Sequence, residues 1–152
     1  MSASEPRIDA ATTSSTDAGA PPGVDAMLAR ARAELDRLDP EAAAEAATRG
    51  GILVDIRPQA QRAREGEIPD ALVIERNVLE WRLDPTHAAR LPIAVDHHLR
   101  VIVFCSEGYT SSLAASSLQD IGLHRATDID GGFAAWQAAG LPTVAGGRPS
   151  DG

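Results

Sequence analysis

The stretch "VIVFCSEGYTSSLAASSLQDIG", residues 101–122, places the chain's single cysteine where an apolar run ends and a helical pattern begins. The run "RVIVF", 100–104, reads as a buried strand. "GYTSSLAASSLQDIG" reads as a turn followed by a helix that stops at Gly122. Cys105 therefore falls at the carboxyl end of a strand, facing a loop that closes onto a helix N-terminus.

The same pattern recurs along the chain. "ILVDI", 52–56, and "ALVIE", 71–75, are further short apolar runs, and "ATDID", 126–130, is a weaker one. "QAQRARE" and "NVLEWRL" lie between them with helical spacing, and "FAAWQAAG" follows Gly131 and Gly132 with Phe133 and Trp136 at i, i+3. Strands alternating with helices predict an α/β domain with a mainly parallel sheet, and ligands collect beyond the carboxyl ends of such strands. Upstream, "VDAMLARARAELDRL", 24–38, sets Met27, Leu28, Leu35 and Leu38 near one face of an amphipathic helix. A second helix starts at Asp39 and Pro40, a cap and a first-turn proline, and stops at Gly50 or Gly51. Residues 1–23 carry almost nothing apolar to offset the entropy of ordering and read as a disordered tail; 146–152 read as a flexible C-terminal tail.

Composition narrows the function classes. At 152 residues the chain suits one domain, and no stretch approaches the run of about 18 apolar residues that spans a bilayer. Without a basic segment leading into an apolar one at the N-terminus, a soluble, cytoplasmic protein is expected. A net charge of −8 without an arginine cluster argues against nucleic acid as a partner. One cysteine forms no internal disulfide, and the four histidines show no ligand-like spacing with it, so neither a metal nor a cofactor is implied.

A lone buried cysteine is ordinarily a small hydrophobe. The neighbours of Cys105 argue otherwise: Ser106, Gly108, Thr110, Ser111 and Ser112 are small or hydroxylated, leaving room for a cradle of N–H and O–H donors. Free amides at a helix N-terminus favour an anion there, and such surroundings lower a thiol from about 8.5 into a range of roughly 3.5 to 7.5.

Four separated pieces, "LVDIR" (53–57), "GEIPDA" (66–71), "VFCSEGYTS" (103–111) and "DIDGGFAAWQAAGLP" (128–142), occur in an order and spacing that resemble the rhodanese family of sulfurtransferases. The resemblance implies a five-stranded parallel sheet flanked by helices, with extra N-terminal helices here. The domain would run over 39–145, preceded by the helix 24–38. It further implies that Cys105 takes a sulfane sulfur from a small donor, thiosulfate or a low-molecular-weight persulfide, and passes it to a thiol or cyanide-like acceptor. The residues Ser106, Glu107, Gly108, Tyr109, Thr110 and Ser111 match the family's binding loop, the amides of 106–111 with the Thr110 and Ser111 hydroxyls stabilising the sulfur anion. A protein sulfur carrier is a further candidate partner, docked by the N-terminal helices and the acidic surface.

The chain departs from the family at two places. "GHIPGA" is replaced by a motif with Glu67 and Asp70, and the loop carries Glu107 where many relatives have a basic residue. A carboxylate beside an incoming dianion costs about 1 to 4 kcal/mol, depending on effective dielectric, which disfavours thiosulfate. Arg57, Arg76 and Arg82 are the candidate anion-binding residues outside the loop. For Arg57 a structural ion pair is the competing role; for the other two it is that of a solvated surface arginine. Phe133 and Trp136 read as core, Asp55 as a brace for the first strand and its turn, and Tyr109 as an outward-facing ring. Two other functions compete: a non-catalytic rhodanese-like binding or regulatory module, and a cysteine phosphatase or arsenate reductase. The latter two need Arg six positions after the cysteine, where this chain has Ser111.

Overall fold

Short apolar runs separated by helices build one parallel sheet in the computed structural model, which describes residues 19–152. Its strands are β1 (Ile52–Asp55), β2 (Leu72–Val73), β3 (Val101–Phe104) and β4 (Thr127–Asp128), in the order β2-β1-β3-β4. The central register pairs Ile52 with Val101 and Asp55 with Phe104. The helices are α1 (Gly23–Ala33), α2 (Pro40–Thr48), α3 (Gln59–Glu65), α4 (Leu79–Leu83), α5 (Thr110–Asp120) and α6 (Gly132–Ala138), with a 3-10 turn at Arg76–Val78 before α4.

The sheet has four strands where five were expected. The fifth position is reduced to a single parallel bridge, Leu38 to Ile129, beside β4. Sequence explains the loss: Asp39 caps α2 by accepting from the Ala42 amide, and Pro40 fixes the first helical residue, so only Leu38 is left extended. The expected helix over 24–38 likewise ends at Ala33, because residues 34–38 turn back to reach that bridge. Most of the tail expected over 1–23 lies outside the described residues, and Gly23 already opens α1.

Alternation along β3 divides the core. Val101, Val103 and Cys105 face one side with Leu79, Leu83, Ala114 and Leu118 of α4 and α5. Ile102 and Phe104 face the other, with Ala43 of α2 and with Phe133 and Trp136 of α6. Both faces are covered, as a parallel sheet requires. The period of two thus also decides that the Cys105 side chain points toward α5. Helix α1 packs against α5 through Ala31, Leu35 is buried beyond its end, and Met27 stays exposed.

The C-terminal residues are docked, in contrast to the flexible tail expected over 146–152. Val144 bridges antiparallel to Glu67, and the Asp151 amide and carboxylate pair with the backbone of Val73 along the outer edge of β2. Glu67, 2 % exposed, is the anchor: it accepts from Arg62, from Arg148 and from the amides of Gly147 and Arg148. Asp70, the other departure in "GEIPDA", has a φ of +68°, a left-handed conformation that glycine adopts freely and aspartate tolerates.

Candidate active site

Cys105 follows β3 directly, 6 % exposed, and the loop from Ser106 to Tyr109 turns over it into α5. The Gly108 amide donates to Cys105 Sγ at 3.3 Å. Gly108 has a φ of +88°, and a Cβ there would stand 2.8 Å from the Gly131 nitrogen, so conformation and space both demand glycine.

Much of the loop is held from outside. The amides of Phe133 and Ala134, at the start of α6, donate to the carbonyls of Cys105 and Ser106 at 2.8 and 2.9 Å. This approach is possible because Gly132 has no side chain: a Cβ would lie 2.6 Å from the Cys105 carbonyl oxygen. The Gly108 carbonyl accepts from two guanidinium groups, Arg32 at 2.7 Å and Arg37 at 3.0 Å. Ser111 and Ser112 both donate their hydroxyls to Asp128, fully buried at the end of β4, at 2.8 Å each. Ser106 donates to Glu65 at 2.6 Å and accepts from Gln61. With the Cys105, Ser106 and Gly108 carbonyls drawn outward, the loop turns an amide toward the sulfur.

Charges around the loop are tightly paired. Arg37 clamps Asp128 through Nε and Nη2 and reaches Asp130 through Nη1. Burial alone would lower its pKa, but the hydrogen bond and charge of Asp128, then the charge of Asp130, push it above the ordinary arginine range. Burial would raise the Glu65 carboxyl; the hydrogen bonds from Ser106, Arg57 and Gln61 outweigh it and hold that carboxyl below its usual range.

The sulfur opens onto a cleft of about 250 Å³ at the carboxyl edge of the sheet. Ile56, Pro58 and Gln61 line it together with Ser106, Glu107, Tyr109 and Thr110. Tyr109 is 61 % exposed, with the Arg32 guanidinium 5.7 Å from its ring centre.

Of the three arginines proposed from sequence, only Arg57 borders this cleft. It is 1 % exposed and fully engaged: it pairs with Asp55 at 2.6 Å and Glu65 at 2.9 Å, donates to the Gly66 carbonyl, and stacks 4.3 Å from the Phe133 ring centre. Its geometry is that of a structural ion pair. Arg76 pairs with Glu80 one helical turn away and lines a separate surface cleft with Trp81 and His87. Arg82 donates to the Ala89 carbonyl. The Ser111 hydroxyl, expected at the sulfur, is instead spent on Asp128.

Sequence reading missed Arg32, Arg37, Asp128, Glu65 and Gln61. The pair "GG" at 131–132 was the one local signal, since adjacent glycines before a helix mark a close backbone approach. Nothing local marks Arg32 and Arg37, which meet Gly108 across 76 and 71 residues. Among the described residues no helix is long and apolar enough to cross a membrane, and no cluster of His, Cys, Asp and Glu is placed to hold a metal ion.

Comparison with known proteins agrees with this geometry. A sulfurtransferase of Allochromatium vinosum is 35 % identical over 94 residues, covering 62 % of this chain and 78 % of the relative. The thiosulfate sulfurtransferase GlpE of Pseudomonas savastanoi pv. phaseolicola is 31 % identical over 105 residues, 69 % of this chain and 90 % of that one. A solved structure from Rhodopseudomonas palustris, RPA3614, superposes with a TM-score of 0.73 at 33 % identity, over 80 % of this chain and 93 % of that one; it is described as a protein of unknown function and possible tyrosine phosphatase. The model of the rhodanese-like domain matches residues 39–139, and with the parallel sheet, the cysteine loop on α5 and these relatives it establishes that the chain belongs to the rhodanese family.

Proposed function

We propose that this protein is a sulfurtransferase that carries a sulfane sulfur on Cys105. The observation that carries the reading is the Gly108 amide on Cys105 Sγ, in a loop whose Cys105, Ser106 and Gly108 carbonyls are tied back, at the mouth of a cleft. The thiolate attacks the outer sulfur of a donor; a new S–S bond forms at Cys105 while the donor's own bond to that sulfur breaks, its electron pair leaving on the donor. A thiol or cyanide then attacks the outer sulfur of the persulfide, and the electron pair of the breaking S–S bond returns to Cys105. Both states of the sulfur are anions, suited to the same amide and helix N-terminus. No residue is needed to remove a proton once the thiolate exists.

The cleft also bears on the donor. Arg57 is its only cation among the described lining residues, and Asp55 and Glu65 neutralise it, whereas Glu107 is exposed at the rim. An organic persulfide, whose reacting S–S end carries at most one negative charge, suits this electrostatic setting better than thiosulfate, which concentrates two on the reacting unit. The relatives named as thiosulfate sulfurtransferases make thiosulfate the natural comparison donor. Steady-state turnover with cyanide as acceptor tests the reading: wild type should release thiocyanate from glutathione persulfide, and Cys105→Ser should not. Equal turnover by Cys105→Ser would overturn it.

The phosphatase suggested for the Rhodopseudomonas palustris structure is the competing activity. Oxyanion chemistry of that kind needs an arginine that closes bidentately over the loop. The position six residues after Cys105 is Ser111, buried and bonded to Asp128, so we set this reading second.

A further inference from the structure

Arg32 and Arg37 both precede residue 39, where the match to the rhodanese-like domain begins, yet both end on one atom of the cysteine loop. That atom, the Gly108 carbonyl oxygen, belongs to the residue whose amide donates to Cys105 Sγ. A peptide carbonyl that receives two charge-assisted hydrogen bonds is strongly fixed in direction. Fixing it settles the ψ of a residue that has no side chain to settle its own torsions, and so steadies the loop that presents the Gly108 amide. Arg32 is tied further by its bond to Ser112 Oγ at 3.0 Å, and Arg37 by its fork on Asp128. Arg32 thus spans from the loop carbonyl to the first turn of α5 itself, and Arg37 from the same carbonyl to the carboxylate that holds that turn.

We propose that Arg32 and Arg37 are positioning residues for Cys105, and that the segment before the family domain completes the reactive loop by clamping Gly108. The two cations also supply positive charge on the closed side of the loop, whereas the loop's own charged side chain, Glu107, is an anion on the cleft side. The charged and titratable groups facing the loop are then Arg32 and Arg37 from the N-terminal segment, Glu65 from α3, Arg57 after β1, Asp128 and Asp130 at β4, and Glu107 and Tyr109 within it. The inference rests on Cys105 being the reacting atom, but its test does not require sulfur transfer.

Cys105 is the only thiol, so alkylation of the full-length chain by neutral iodoacetamide reports on it alone. Arg37→Ala strands the buried Asp128 and is a poor choice for a folded variant. Arg37→Lys keeps a charge for Asp128 but cannot span to Gly108 as well, and Arg32→Ala removes the other donor. The double variant R32A/R37K, shown folded by its circular dichroism and thermal transition, should alkylate about tenfold more slowly at neutral pH, the loss of a charge-assisted bond. Its rate-against-pH curve should also move to higher pH. A folded double variant whose alkylation rate and pH curve superpose on wild type would overturn the clamp, whatever sulfur transfer shows.

Discussion

Glu107 is the residue at which charge and chemistry can be separated. It is exposed and accepts no hydrogen bond from the protein among the described residues, so replacing it should leave the fold alone. Glu107→Gln should raise the rate of loading from thiosulfate several-fold, up to about tenfold, through the removed repulsion, while loading from glutathione persulfide changes less. Stopped-flow loading with the two donors measures the ratio; an unchanged ratio would remove Glu107 from donor selection. The arginines teach the opposite lesson about reading single residues. Arg57 is open to either role in a linear sequence, and Arg76 and Arg82 read sooner as surface arginines, because a carboxylate two or four positions away does not say whether the pair is buried. In the fold Arg57 lies between Asp55 and Glu65, and a buried cation so paired has little charge left for a ligand.

Among the elements, α6 shows how a helix can serve a loop it does not belong to. Its first amides hold the Cys105 and Ser106 carbonyls, which requires Gly132 at a φ of +62°. Gly132→Ala adds a Cβ at 2.6 Å from the Cys105 oxygen, and the left-handed backbone alone costs an alanine about 1–2 kcal/mol. The variant should melt lower and alkylate Cys105 more slowly than wild type; wild-type alkylation would show that α6 does not support the loop. The strands themselves were legible, since "ILVDI" and "RVIVF" are continuous apolar runs of a sheet covered on both faces, and the helices between them follow a period of 3.6. What local periodicity could not give was the missing fifth strand, decided by Asp39 and Pro40, the two residues after Leu38, or the docking of 146–152, decided by a buried carboxylate about eighty residues away.

At the scale of the whole molecule, Glu67 closes the chain on itself. Burial would raise its carboxyl, but the Gly147 and Arg148 amides and Arg62 outweigh that and hold it below the ordinary value of 4.5. A carboxyl that binds its proton more weakly when folded contributes stability above the unfolded value, and loses it as pH falls through the folded one. Thermal midpoints of wild type should therefore drop as pH falls below about 4.5, and Glu67→Gln, already less stable at neutral pH, should show a shallower decline. Parallel curves for the two proteins would assign the acid sensitivity to other carboxylates, with Glu65 and Glu80, also held low, as the next candidates. The placement of Cys105 was readable from the junction of β3 and α5; the support for its loop was not, because it converges from α3, β4, α6 and the segment before residue 39.

The central claim is that Cys105 holds a transferable sulfur, and intact-protein mass under non-reducing conditions addresses it directly. After brief exposure to glutathione persulfide, wild type should gain the mass of one sulfur atom and lose it again on adding cyanide, while Cys105→Ser gains nothing. Failure of wild type to gain that mass from either glutathione persulfide or thiosulfate, or the same gain in Cys105→Ser, would contradict it.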